Sequence, residues 1–457
     1  MIAAVADMVV SPLKKTLIIG LGATGLSVAR HLAALGLPFQ VADTRVAPPG
    51  LARLREIAPK AKVHLGALNP ELISQMSRVV LSPGVSLRDP ALRQALASGL
   101  EVIGDIELFA REANAPVAAI TGSNGKSTVT TLLTAMARDA GRLVRAGGNL
   151  GTPALDLIET PGPDLYALEL SSFQLETAQS LRPAAAAVLN VSADHMDRYT
   201  GLHDYAAAKA RVYERAQVCV VNRGDAAVMS MVRDNCVTVS FGLDAPPAEN
   251  SAAENYGLRV ADGRAWLCRG ATRLLAEDEL RINGRHNTSN ALAALALGDA
   301  LGFAHEAMCH TLKFFTGLPH RMQWVAQSHG VTWYNDSKGT NVGATVAGLG
   351  GLPGPVVLIA GGDGKGANFA PLRPAVKTRV RALILLGRDA GRIADALAGA
   401  APVMMVDDME AAVAHAATLA RPGDQILLSP ACASFDMYGS YTERGEHFMS
   451  AVRRLFP

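Results

Sequence analysis

The sequence has no marked charge excess, no long apolar run and no clustered cysteines. Its 43 basic and 41 acidic residues are dispersed over 457 positions and leave a formal charge of +2. That balance argues against the basic footprint of a nucleic-acid or membrane-surface binder. No stretch reaches the roughly 18 apolar residues of a membrane helix. Asp7 falls where a leader peptide needs its apolar core, and the first lysines come only after it. Five cysteines, Cys219, Cys236, Cys268, Cys309 and Cys432, make no CxxC and no metal-ligand spacing. An odd, sparse set in so long a chain reads as reduced thiols in a cytoplasmic protein. There is no fixed-period repeat and no low-complexity tract.

What the chain does contain is the composition of a globular protein, 49% hydrophobic and 18% charged, at a length that calls for about two to four domains. Strand-like runs alternate with amphipathic helical stretches, which predicts an α/β fold. "KTLIIGLGATGLSVARHLAALG" is a short strand, then Gly20, Gly22 and Gly25, then a helix, and "PFQVADTR" adds a second strand ending at Asp43. Such a glycine turn brings backbone close to a ligand at a helix N-terminus. By itself it fits a dinucleotide, another nucleotide, or only a tight turn. "REANAPVAAI" supplies a polar link, so a first boundary is expected near residues 112–116, and "FFTGLPHR" predicts a hinge near residue 318. Between about 244 and 280 short polar strands suggest hairpins. After 318 the α/β rhythm resumes.

The stretch "AAITGSNGKSTVTTLLTAM" gives strand, glycine-bracketed turn and helix in the order of a phosphate-binding loop. Gly122 and Gly125 let the turn curl so that backbone amides face phosphate. Lys126 brings a charge to the β/γ region, and Ser127 a hydroxyl suited to Mg²⁺. Ile120 stands where an ordinary P-loop has its first glycine. Glu169 ends the apolar strand "YALEL" and His195 lies between Asp194 and Asp197, both at strand ends where α/β sheets bind ligands. Each has a plain alternative: Glu169 as a solvated terminus, the Asp194–His195 group as a helix-capping network. Lys209 on an Ala-rich helix reads as a snorkelled surface lysine. Asn287 and Asn290, one turn apart, either cap a helix or present two amides to a purine or ribose. "NDSKGTN" and "GGDGKG" set acid and lysine pairs, Asp336 with Lys338 and Asp363 with Lys365, at later strand ends.

Taken in order, "TGSNGKST", "ELSSFQLE", "NVSADHMDRY", "GRHNTSN", "GLPHRMQ", "NDSKGTN", "GGDGKG" and "LSPACASFD" resemble the Mur ligase family of ATP-dependent amide-bond ligases over essentially the whole chain. Ile120 is then the family's own form of the loop. The resemblance implies three domains: 1–114, Rossmann-like, for a UDP substrate; 115–317, P-loop ATPase-like with a mostly parallel sheet; 318–457, Rossmann-like, for amino-acid binding and closure. It turns the Gly22 turn from a dinucleotide site into a UDP site, with Asp43, Thr44, Arg45, Asn149 and His195 near the UDP-sugar. It implies that Gly122, Asn124, Gly125, Lys126, Ser127, Thr128, Asn287, Asn290, Arg321 and Asp336 contact ATP. Ser127, Glu169, His195 and a carbamylated Lys209 would hold two Mg²⁺ ions, and Lys126, Glu169, His195 and Lys209 would be catalytic. Lys338, Lys365, Ser434 and Tyr441 would meet D-glutamate. The implied reaction joins D-glutamate to UDP-N-acetylmuramoyl-L-alanine in peptidoglycan precursor synthesis. A cytoplasmic monomer with no nucleic-acid partner and no stable membrane association is expected.

Overall fold

The computed structural model describes residues 15–149, 151–232, 236–247, 255–282 and 284–455. Asp7 and the rest of the first 14 residues lie outside that set. Among the described residues the fold is mixed α/β, with three sheets of five, nine and six strands. It divides into two compact units, one drawn from Met1–Ala119, Arg142–Ala184 and Glu214–Gln217, the other from Ile120–Gly141, Ala185–Tyr213 and Val218–Pro457.

In the first unit the strands Thr16–Ile19 and Arg78–Leu81 are buried at every position. Such uniform burial marks strands covered on both faces, the habit of parallel sheets. Five parallel strands run in the order Val63–Leu65, Phe39–Asp43, Thr16–Ile19, Arg78–Leu81, Glu101–Gly104. Strand order reverses beside Thr16–Ile19, so the crevice at that strand's carboxyl end is the fold's natural ligand position. Leu17, Ile19, Val79, Leu81 and Leu92 pack one face of this sheet. The same unit holds a further parallel pair, Val144–Gly148 with Leu165–Glu169.

The second unit carries the parallel strands Ala185–Val188, Val218–Asn222 and Val237–Phe241. An antiparallel meander follows, Tyr256–Ala261, Arg264–Arg269 and Thr272–Ala276, which matches the hairpins expected there. Its six-stranded sheet runs Gln323–Ser328, Val331–Asn335, Gln425–Leu428, Val356–Gly361, Val380–Leu386, Val403–Met405, parallel except for the first hairpin. Trp333, Ile359, Ile426 and Phe448 fill one face and Leu358, Leu385, Leu427 and Leu372 the other. The carboxyl ends of three neighbouring strands therefore deliver the loops after Asn335, Gly361 and Leu428 to one edge.

One reading from the sequence fails. Cys219 and Cys236 form a disulfide, with Cα atoms 6.2 Å apart. Val218 pairs with Val237 in neighbouring parallel strands, which puts Cys219 opposite Thr238 and brings Cys236, just before the second strand, diagonally within bonding reach. Seventeen residues of separation gave no hint of it. Cys268, Cys309 and Cys432 remain thiols, and burial pushes the Cys432 pKa up to about 12, as suits a packed, unreactive residue.

Candidate active site

In the first unit the glycine turn follows strand Thr16–Ile19. Gly20 has φ +95°, and a Cβ on Gly25 would lie 1.9 Å from the Gly20 carbonyl oxygen, so one glycine makes the bend and the other lets helix meet strand. A Cβ on Gly22 would meet nothing within 4 Å, leaving room over the N-terminus of helix Ala23–Ala34. Asp43, 2% exposed, accepts from the Leu21 amide at 2.7 Å and from Arg45 Nε and Nη2 at 2.9 and 2.7 Å. Arg45 is the main cause holding its carboxyl down at about 2. Asp43 thus fixes both the turn and a half-exposed guanidinium, while Thr44 is exposed. At the end of Leu165–Glu169, Glu169 is 3% exposed and its Oε1 accepts from Asn149 Nδ2 at 2.7 Å. The solvated-terminus alternative for Glu169 is excluded.

In the second unit the glycine loop leads into helix Lys126–Asp139 with Gly125 at the N-cap in the left-handed region, φ +85°. A Cβ there would sit 2.4 Å from Asn290 Oδ1. Lys126 Nζ donates to the Gly122 and Ser123 carbonyls at 2.8 and 2.9 Å, and Arg321 Nη2 donates to Ser127 Oγ at 2.7 Å. Lys209 departs from its surface reading: it is 1% exposed, its Nζ donates to the Gly122 carbonyl at 2.9 Å and lies 4.4 Å from the Tyr205 ring centroid. Tyr205 and Lys209, four apart on helix Leu202–Ala210, share its buried face.

A cavity of about 310 Å³ is lined together by Asn124 and Gly125 of the loop and Thr128 of the helix it starts, by Asn287 and Asn290, and by Arg321, Asp336 and Lys338. Asn287 and Asn290 do not cap helix Arg285–Ala300, whose N-cap is Gly284; Asn290 Nδ2 donates to Asn287 Oδ1 at 3.2 Å and both amides line the cavity. Burial pushes the Asp336 carboxyl up to about 7, against the opposing hydrogen bond from Ser429 Oγ at 2.8 Å and the charge of Arg321.

A neighbouring cavity of about 470 Å³ is lined by Asp194, His195, Thr340, Asn341 and Lys365. Lys365 Nζ lies 2.9 Å from Asp194 Oδ1, and Asn341 Nδ2 donates to Asp194 Oδ2 at 3.3 Å and to Asn124 Oδ1 at 3.1 Å. Burial raises the Asp194 pKa, but Lys365 and His195 outweigh it and hold the group in its charged form. Burial lowers the His195 pKa against the pull of Asp194. No helix begins at His195, so Asp194 is not a helix cap. Lys338 Nζ stands 3.9 Å over the Tyr441 ring, and Ser434 is 2% exposed within the loop between Leu428 and Tyr441. His195, His320, Met322, Lys365 and Ala431 all hold positive φ without being glycine. Left-handed backbone at such residues persists only where the surroundings enforce it, and it gathers at functional sites.

The sequence reading did not single out Ser429, which holds Asp336, or Arg444, whose guanidinium ties two of these loops together. Serine after a strand and arginine within a helix are too common to stand out. No helix among the described residues is long and apolar enough to cross a membrane.

Residues 14–104 match the Mur ligase MurD-like N-terminal domain, residues 120–298 the Mur ligase middle domain, and residues 320–432 the Mur ligase glutamate ligase domain. A UDP-N-acetylmuramoylalanine–D-glutamate ligase of Nitrosococcus oceani is 54% identical over 442 residues, 96% of each chain. The enzyme of that name from Pseudomonas aeruginosa is 52% identical over 443 residues, 96% of this chain and 98% of its own. Among solved structures, a UDP-N-acetylmuramate–alanine ligase from Thermotoga maritima is similar in fold, with TM-score 0.59 and 18% identity over 97% of this chain and 100% of its own.

Proposed function

The chain belongs to the Mur ligase family, and from that footing we propose that it joins D-glutamate to UDP-N-acetylmuramoyl-L-alanine at the expense of ATP, releasing ADP and phosphate. It is an ATP-dependent amide-bond-forming ligase of peptidoglycan synthesis. The observation that carries this reading is the single cavity in which the phosphate loop meets Asn287, Asn290, Arg321 and Asp336, in a chain about half identical to D-glutamate-adding ligases over nearly its whole length. In this reading residues 1–114 hold the UDP substrate, 115–317 the ATP and 318–457 the amino acid, with closure about a hinge near 318. The enzyme is a cytoplasmic monomer that serves wall growth, and through it cell shape and division.

A free carboxylate is a poor electrophile, so activation comes first. The L-alanyl carboxylate oxygen attacks the γ-phosphorus and ADP leaves, giving an acyl phosphate. The D-glutamate amine then attacks the carbonyl carbon, and the tetrahedral intermediate expels phosphate and loses the amine proton. Lys126 moves from its own loop carbonyls to the β/γ oxygens, where its charge offsets that of the transferring group. Asn287, Asn290, Arg321 and Asp336 hold the nucleotide. Gly22, Asp43, Thr44, Arg45, Asn149 and His195 orient the UDP-sugar. Lys338, Lys365, Ser434 and Tyr441 position D-glutamate, and closure keeps water from the acyl phosphate.

By chemistry each donor suits Mg²⁺: in the second unit the Ser127 hydroxyl would offer a hard oxygen ligand and His195, at the cavity beside Lys365, an imidazole, and in the first unit the Glu169 carboxylate would offer a hard oxygen. Lys209, buried against the glycine loop, would add an anionic oxygen donor once carbamylation exchanges its ammonium. When bound, two Mg²⁺ ions supply positive charge at the phosphoryl oxygens. An isotope experiment tests the chemistry. With ¹⁸O in the L-alanyl carboxylate, one label is expected in the released phosphate; unlabelled phosphate would exclude the acyl phosphate.

A further inference from the structure

Arg444 is 3% exposed, inside helix Tyr441–Leu455, yet no carboxylate among the described residues receives its guanidinium. Its four hydrogen bonds go instead to the loops that carry the proposed amino-acid contacts. Nη2 donates to the Ser337 carbonyl at 2.8 Å, just before Lys338, and to the Cys432 carbonyl at 3.1 Å; Nη1 donates to the Ala433 carbonyl at 3.2 Å, just before Ser434. Nε donates to Ser337 Oγ at 3.0 Å, and that hydroxyl donates to the Tyr441 carbonyl at 2.8 Å. Ala433 in turn exchanges two backbone bonds with Asp363, at 2.8 and 3.0 Å, two residues before Lys365. The Ala431 amide ties the same loop to the Gly339 carbonyl at 2.9 Å while holding φ +57°.

Burying a cation without a carboxylate is unfavourable, and burial lowers the Arg444 pKa to about 10. A planar guanidinium offers five donors in a fixed fork, so it can satisfy several carbonyls at once and fix their separation; an ammonium donates from a single nitrogen. We infer that Arg444 is a positioning residue for the acidic amino acid, setting the spacing of Lys338, Ser434, Tyr441 and, through Ala433 and Asp363, Lys365. The inference rests on the amino-acid site of the preceding section. It goes further by assigning the site's geometry, and hence its selectivity for a dicarboxylate, to a residue that does not touch the substrate.

The test is steady-state kinetics of the full-length protein, with each substrate varied in turn. Arg444→Lys keeps the charge and loses the fork. Its KM for D-glutamate is expected to rise at least about tenfold, because misplacement of about 1 Å in a binding group is enough for such a loss. KM for ATP and for the UDP substrate should stay within about threefold of wild type, a change of under about 1 kcal/mol. Ser337→Ala, which removes one link and leaves the arginine in place, should raise KM for D-glutamate alone by a smaller factor. It also serves if Arg444→Lys does not fold. A wild-type KM for D-glutamate in either soluble variant would overturn the inference, as would an equal rise in all three KM values, the mark of a merely structural role. A wild-type enzyme that ignores D-glutamate would instead bring down the underlying site assignment.

Discussion

Lys365 and Asp194 are joined across the cavity edge, Nζ to Oδ1 at 2.9 Å, with Lys365 held at φ +50°. The ammonium that the proposed amino acid's carboxylate would meet is thus fixed in place by a protein carboxylate. Lys365→Met should raise KM for D-glutamate by about 10- to 100-fold, the loss of one hydrogen bond to a charged group. KM for ATP should change little. An unaltered response to D-glutamate would remove Lys365 from the site.

Lys126 closes on two carbonyls of its own loop, and the reading sends it to the phosphates when ATP binds. Lys126→Ala should lower kcat by at least about a hundredfold, on the scale of losing one donor to developing charge. Binding of the UDP substrate, measured calorimetrically, should persist. Loss of that binding as well would point to misfolding.

Lys209 is buried against the Gly122 carbonyl, where a plain ammonium cannot ligate a cation. Lys209→Ala should nearly abolish turnover, and short carboxylic acids should restore part of it by occupying the vacated space. Full activity in the alanine variant would end the carbamate proposal. Mass spectrometry under bicarbonate gives an independent reading.

Asp105 titrates in the interior, its pKa raised by burial from 3.8 to about 6, with Gln174 Nε2 on one oxygen at 3.2 Å and no hydrogen-bond partner among the described residues on Oδ1. A carboxyl whose folded pKa is raised binds its proton more tightly in the native state. Stability is therefore highest below about pH 4 as far as this group is concerned, falls as pH climbs to about 6, and is level above it. The decline is on the order of 2–3 kcal/mol. Denaturant titrations of Asp105→Asn against wild type from pH 4 to 7 should show a shallower decline in the variant; identical slopes would contradict the assignment.

The α/β rhythm, the glycine turn into helix Lys126–Asp139 and the strand-end polar residues were legible because each depends on local pattern: glycine where backbone turns, apolar runs where sheets are buried on both faces. Asn287 and Asn290 needed only helical pitch to be placed on one face. Lys209 was not legible from pattern, because its burial comes from the loop it packs against and not from its own helix. Asp43 was read as a ligand contact, yet much of its work is holding Leu21 and Arg45. The Cys219–Cys236 pair depends on strand register, and Arg444 on carbonyls about 107 and 12 residues away, contacts that no local spacing encodes.

The most direct test of the proposed reaction is phosphate release from Mg-ATP and UDP-N-acetylmuramoyl-L-alanine, with and without D-glutamate, and with L-glutamate, glycine or diaminopimelate in its place. Release that requires both the UDP substrate and D-glutamate is the expected result. Release driven by another amino acid, or none with any of them, would contradict it.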